Sequence, residues 1–166
     1  MLPAESEPAL VAALAAARRQ SDSLFALLDP AALYERAVAE RHRFIFYLGH
    51  LEAFDWNLCR TQLAPSPPAA ELDRLFAFGI DPDQKCPEAL PCDRAADWPA
   101  LETVHAYRQQ RRELFDRHLS ALPEQLLHVA IEHRLMHAET LCYLLHWLPL
   151  SSKRALGPPQ ADPRPA

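Results

Sequence analysis

Two histidines four residues apart, His133 and His137, stand in a segment where apolar residues recur at Leu126, Ala130, Leu141, Leu144 and Leu148. In an α-helix that spacing puts both imidazoles on one face a turn apart, close enough for two ring nitrogens to reach one metal ion. They take the places of apolar residues in the middle of the core-facing row, and burying imidazole there costs free energy unless it is bonded. A second segment repeats the pattern: Tyr47, His50, Phe54 and Leu58 follow at spacings of three and four, with His50 inside the stripe. Three inward imidazoles from two helices point to one site.

Neutral imidazoles with coordination positions left open suit Zn, Fe, Ni or Co, and helical bundles build such sites from facing helices. Structural zinc closes with four protein ligands, so three leave a place for water or substrate. The competing account is that these are core histidines bonded to Glu132, Glu139 or Tyr47. In the metal reading, Glu132 and Glu139 flank the pair and would orient the imidazole N–H groups. His42, His105, His118, His128 and His146 lie beside charged residues or near helix ends, where exposure is the default. Arg108, Arg111 and Arg112 either reach the bundle seam, where they could hold a carboxylate substrate, or form a solvated face. No glycine loop that cradles phosphate and no nucleophile elbow is present.

The elements that must position these residues are helices. Val, Ile and Thr together number only ten and Gly only 3, while Leu and Ala dominate, so an extensive sheet is not expected. After Ser6, an alanine-rich run with Leu10, Leu14, Leu24 and Leu28 at helical spacing predicts a first helix that stops at Asp29-Pro30. Asp29 can cap a short helix with Pro30 at its first position, and apolar periodicity resumes from about Phe44 to Leu63. Six prolines between 64 and 98 predict a long connection, with perhaps a turn of helix at Ala70 to Phe78. Phe76 and Phe78 should pack it back on the body. Asp97 is expected to cap a third helix, with Pro99 near its start, that reaches about Leu122; Pro123 opens the last, which Pro149 stops. The expectation is an all-α four-helix bundle over residues 1–150, followed by a disordered proline-rich tail over 151–166.

The 166 residues, 49% hydrophobic and 23% charged with a formal net charge of -5, are those of one globular domain. The acidic balance argues against general nucleic-acid binding, which needs clustered Lys and Arg. No apolar run is long enough to span a bilayer and no signal-peptide pattern opens the chain, so a cytoplasmic protein with no membrane partner is expected. Cys59 and Cys142 fall in helical patterns. Cys86 and Cys92 share one loop, too few for a convincing zinc site.

The run Phe44-Ile45-Phe46-Tyr47-Leu48-Gly49-His50-Leu51 with Phe54-Asp55-Trp56-Asn57, and the run Glu132 to Leu141 (EHRLMHAETL), resemble the DinB-like domain of ergothioneine-type sulfoxide synthases. Leu75 to Pro82 and Asp97-Trp98-Pro99 resemble connecting-loop motifs of the same group. The resemblance spans about residues 20 to 149. It implies an up-down-down-up bundle with a long loop between helices two and three, in which His50, His133 and His137 bind non-haem Fe(II), with Zn or Ni as other candidate metals. In that family the metal activates dioxygen to join a thiol or selenol to the imidazole of a histidine derivative. Those enzymes complete the site with a larger C-terminal domain resembling formylglycine-generating enzyme, and no such domain is expected within these 166 residues. Lys85 and Arg94 stand at a spacing different from the loop arginines that bind the thiol substrate's carboxylate in some members.

The resemblance therefore implies either an oxidoreductase component that works with a separate formylglycine-generating-enzyme-like subunit, or a thiol-dependent transferase of the broader superfamily that binds a small thiol. A reading from a different class is a non-catalytic helical interaction module, with structural histidines and the Cys86–Cys92 loop contacting a partner. Redox sensing by those cysteines, and homodimerisation through an outer helix face, are further alternatives.

Overall fold

A computed structural model describes residues 7–60, 70–77 and 94–154. Its helices are α1 (Glu7–Ala26), α2 (Phe44–Arg60), α3 (Ala70–Phe76), α4 (Leu101–Asp116) and α5 (Glu124–Trp147), with short 3-10 turns at Pro30–Tyr34, Ala95–Asp97, Leu119–Ala121 and Leu150–Ser152. No strand forms among the described residues, and no described helix is long and apolar enough to cross a membrane.

Two apolar clusters define the topology. One gathers Leu10 and Leu14 from the start of α1, Leu127 and Ala130 from the start of α5, and Trp56, Cys59, Leu114 and Phe115 from the ends of α2 and α4. The other gathers the end of α1 (Phe25), the start of α2 (Phe44 to Leu51), Val104 and Tyr107 of α4, and Leu141 to Leu148 at the end of α5. Hence α1 and α5 run one way and α2 and α4 the other, which is the up-down-down-up order. α1 packs on α5 and α2 on α4, with α2 also touching α5 and α3. In α1 the buried row is Leu10, Leu14, Ala17, Ser21 and Phe25; in α5 it includes Leu127, Ala130, Arg134, Ala138 and Leu141. The small residues in both rows let the two helices approach closely.

Boundaries follow local chemistry. The Asp29 side chain accepts from the Ala31 N–H at 3.0 Å, capping the 3-10 turn that Pro30 opens, as its sequence predicts. The third long helix differs from expectation: it starts at Leu101 and ends at Asp116. Trp98 precedes Pro99 and is held extended, at φ -84 and ψ 147, because a residue before proline is excluded from the helical region. Asp97 thus closes the preceding 3-10 turn and pairs with Arg94 at 3.1 Å instead of capping α4. The expected last turn of the second helix, at 61–63, lies outside the described residues.

The chain does not leave the body at Ser151. Ser152 is buried, its carbonyl accepts from Asp29 N–H at 3.0 Å, and Arg154 N–H donates to the Leu27 carbonyl at 2.7 Å. The first four residues of the expected tail are thereby tied to the end of α1; residues 155–166 lie outside the described part.

Between the apolar clusters lies a charged layer. Arg134 of α5, wholly buried, donates to Glu52 at 2.6 Å and through Nε to Asp55 at 2.9 Å, both on α2. Glu52 also accepts from Arg112 of α4, which pairs with Asp22 of α1 at 2.9 Å together with Arg108 at 2.6 Å. Arg18 of α1 reaches Asp55 at 3.6 Å and Asp116 of α4. The layer sets four carboxylates against four guanidinium groups and joins all four long helices.

Removing one member of a buried set strands the others without compensation. Arg134→Ala is expected to cost about 3–5 kcal/mol. Trp147→Ala, on a side chain that is 68% exposed, should stay within about 0.5 kcal/mol of wild type. Urea denaturation of both variants checks the contrast; equal midpoints would contradict it.

Candidate metal centre

The middle layer also holds the histidines. His50 projects from α2 into the seam with α5 and is 5% exposed, while His133 and His137 are half-buried one turn apart on α5. The expected core row of the last helix shifts by one position: Arg134 and Ala138 point deepest, and the two histidines flank them on the α2 side. The three rings converge, with centroids 5.2 Å apart for His50 and His133, 5.0 Å for His50 and His137, and 4.5 Å for His133 and His137.

One ring nitrogen from each lies within 4.8 Å of the others, and the Nε2 atoms of His133 and His137 are 3.1 Å apart. Two nitrogens each about 2.1 Å from one ion, at about a right angle, would be separated by about 3.0 Å, so the pair stands as two ligands of one ion stand. Among the described residues this is the group of His, Cys, Asp or Glu whose donor atoms could close on a metal. The donor set, three nitrogens without a carboxylate, fits a borderline transition metal with places left open.

The surroundings keep the rings neutral. Burial pushes His50 and His137 down to about 4; for His133, burial followed by the neighbouring His137 and His50 brings it to about 2. Phe54 stacks on His133 with centroids 3.4 Å apart and planes 7° from parallel, Phe46 stacks on His50 at 4.8 Å, and Tyr47 leans on His137 at 5.6 Å. Nδ1 of His50 donates to the carbonyl of Phe76 at 2.7 Å. Nδ1 of His133 and of His137 is buried and has no hydrogen-bond partner among the described residues.

Glu132 and Glu139 are exposed and satisfy neither ring, and Tyr47 meets His137 only through its ring. The account of these residues as core histidines hydrogen-bonded to those three groups is thus not what the structure shows. His105, His128 and His146 are exposed, His118 is half-buried, and His42 stacks on Phe46 at 4.1 Å without joining the cluster. The arginines of α4 turn inward: Arg111 is wholly buried against Asp73, and Arg108 and Arg112 belong to the charged layer. They neither form a solvated face nor stand ready for a substrate carboxylate. Arg94 is exposed and paired with Asp97; Lys85, Cys86 and Cys92 lie outside the described residues.

Two contributors are not evident from residue spacing. Arg134 sits beside His133, and its only sequence signal is the acidic pair Glu52 and Asp55 inside an otherwise apolar helix. The Phe76 carbonyl is a backbone atom with no side-chain signature of its own, and Gly49 in the middle of α2 is the indirect sign of its approach.

Comparison with known proteins places the site in context. The family model of the DinB superfamily matches residues 13–148. Ergothioneine biosynthesis protein 1 of Neurospora crassa is 35% identical over 150 residues, covering 84% of this chain and 16% of the relative. Ergothioneine biosynthesis protein 1 of Schizosaccharomyces pombe is 27% identical over 131 residues, covering 71% of this chain and 17% of the relative. The chain thus spans about a sixth of the length of these curated relatives.

Neutral burial of the three rings makes stability depend on pH. The unfolded chain binds protons on them near 6.5, whereas the folded rings resist to about 4 or below. Between these values the unfolded state holds more protons, so stability is fully present above 6.5 and falls as pH drops toward 4, by at most about 1.4 kcal/mol per pH unit for each ring. Burial alone would raise Glu52, but Arg134 and Arg112 take it down to about 2, so its own loss begins only below its unfolded value of 4.5. Denaturant midpoints of chelator-treated protein should therefore decline between pH 6.5 and 4.5, where a flat profile would contradict neutral burial.

Proposed function

The chain belongs to the DinB superfamily, and on that premise we propose that His50, His133 and His137 hold one divalent metal, Fe(II) foremost, as the metal-bearing part of a sulfoxide-forming assembly. The observation that carries the metal reading is the convergence of three neutral imidazole nitrogens within 4.8 Å of one another. The relatives' names, which speak of ergothioneine biosynthesis, favour a thiol and a histidine-derived compound as the substrates. When bound, such an ion supplies open coordination positions at which dioxygen and a thiolate can meet.

The overall change balances as follows. A carbon–sulfur bond replaces the thiol S–H and an imidazole C–H, and dioxygen is reduced, leaving one oxygen on sulfur and the other in water with the two hydrogens. A selenol would follow the same balance.

The bundle's own residues have a narrower part in this. They hold the ligand rings neutral and cover them with Phe46 and Phe54. They offer little to recognise a substrate, because Arg108, Arg111 and Arg112 are taken up by Asp22, Glu52 and Asp73. Recognition is therefore assigned to a second domain or subunit. Val129 and Met136 lie on one exposed face of α5 beside His133, with Trp147 on the same face about 21 Å beyond His133 along the helix, and provide an apolar surface for it.

Elemental analysis of anaerobically purified protein tests the reading. About one Fe per chain is expected, lost in His50→Ala, His133→Ala and His137→Ala. His137→Ala should keep its helical circular dichroism, because the apolar clusters and charged layer do not depend on the ion. No metal in wild type after anaerobic reconstitution with Fe(II) would overturn the proposal and favour a non-catalytic interaction module.

A further inference from the structure

Among the described residues, His50 is the one ring of the three whose outer nitrogen has a hydrogen-bond partner. A carbonyl oxygen can only accept, so Nδ1 carries the proton and Nε2 keeps its lone pair for a metal. Phe76 ends α3, and the last carbonyls of a helix have no acceptor role inside it, which leaves this one free for His50.

Several contacts hold that carbonyl in place. The Phe76 ring is wholly buried and lies over Gly49, the residue before His50; a Cβ at position 49 would come within 2.5 Å of the ring carbons. Only glycine permits so close an approach. The ring also meets Tyr107 of α4 at 5.2 Å. One turn earlier, the Asp73 carboxylate accepts from Nε and Nη2 of Arg111 at 2.9 and 2.8 Å and from the Tyr107 hydroxyl at 2.9 Å. A seven-residue helix is not stable by itself, so α3 takes its position from these contacts with α2 and α4.

We propose that Gly49, Asp73 and Phe76 are positioning residues of the metal centre: they seat α3 so that its terminal carbonyl fixes His50 as the Nδ1–H tautomer and aims Nε2 at the ion. The inference rests on the reading of the triad as a metal site. His50 is thereby the pre-set ligand, whereas no hydrogen bond from the described residues fixes the proton of His133 or His137 at Nδ1.

Heteronuclear NMR of the imidazole nitrogens in the metal-free wild type should show His50 with a protected Nδ1 proton and a bare Nε2. Gly49→Ala, which forces the Phe76 ring away, should lose that proton signature and bind Co(II) about 10- to 100-fold more weakly with helicity kept. Asp73→Asn should shift affinity the same way by less. An Nε2–H tautomer in the wild type overturns the inference, and so does Co(II) affinity unchanged in a Gly49→Ala protein whose His50–Phe76 bond is broken. If Gly49→Ala does not fold, the wild-type tautomer and Asp73→Asn still decide. Absence of Co(II) binding by the wild type would instead defeat the metal reading, with the tautomer assignment standing.

Discussion

The interaction on which the rest of the molecule depends is the fork of Arg134 across Glu52 and Asp55. Leu and Ala in the two apolar clusters would accept small rotations of α5 against α2 at modest cost, since such packing is not directional. A guanidinium bonded at once to carboxylates three residues apart does not accept them, because any turn or slide strands a buried charge. The residue that locks the two helices is the immediate neighbour of His133, and its partner Glu52 stands two positions from His50. The relative placement of the imidazoles is therefore inherited from an ion network one helix face away.

That network also explains a division of labour. The four guanidinium groups of the charged layer, and wholly buried Arg111 beside them, each face a carboxylate of the chain itself, so the interior is electrically closed. Among the described residues no carboxylate faces the imidazole cluster to stabilise a positive charge, and the aromatic walls add none. A site of this kind keeps neutral nitrogen donors ready without attracting protons.

Much of this was legible in the sequence, and unevenly. The spacing of His133 and His137, and the place of His50 in an apolar stripe, located the triad because helical periodicity converts directly into facing. The up-down-down-up order followed from resemblance, since connection length alone does not choose between bundle topologies. Arg134 stayed hidden because an arginine in a helix is read as solvent-facing until its partners are known, and Glu52 and Asp55 lie on another helix. The start of α4 was misplaced because Asp97 has the residue type of a cap, while the restriction that Pro99 puts on Trp98 decided the matter. The carbonyl of Phe76 has no sequence signature, although Gly49 within a helix marks the close approach that delivers it.

The charged layer is also completed in the order of synthesis. A ribosome releases α1, α2 and α4 before α5, so a nascent chain can set Arg112 against Glu52 and Arg18 against Asp55 before it has made Arg134, which bridges the two carboxylates. Until α5 emerges, the face of α2 that takes Arg134 and meets His133 has no helix to cover it. Vectorial synthesis thus leaves the bundle unsealed until the helix that brings two of the three imidazoles arrives, and the imidazole cluster and the core become complete in the same step.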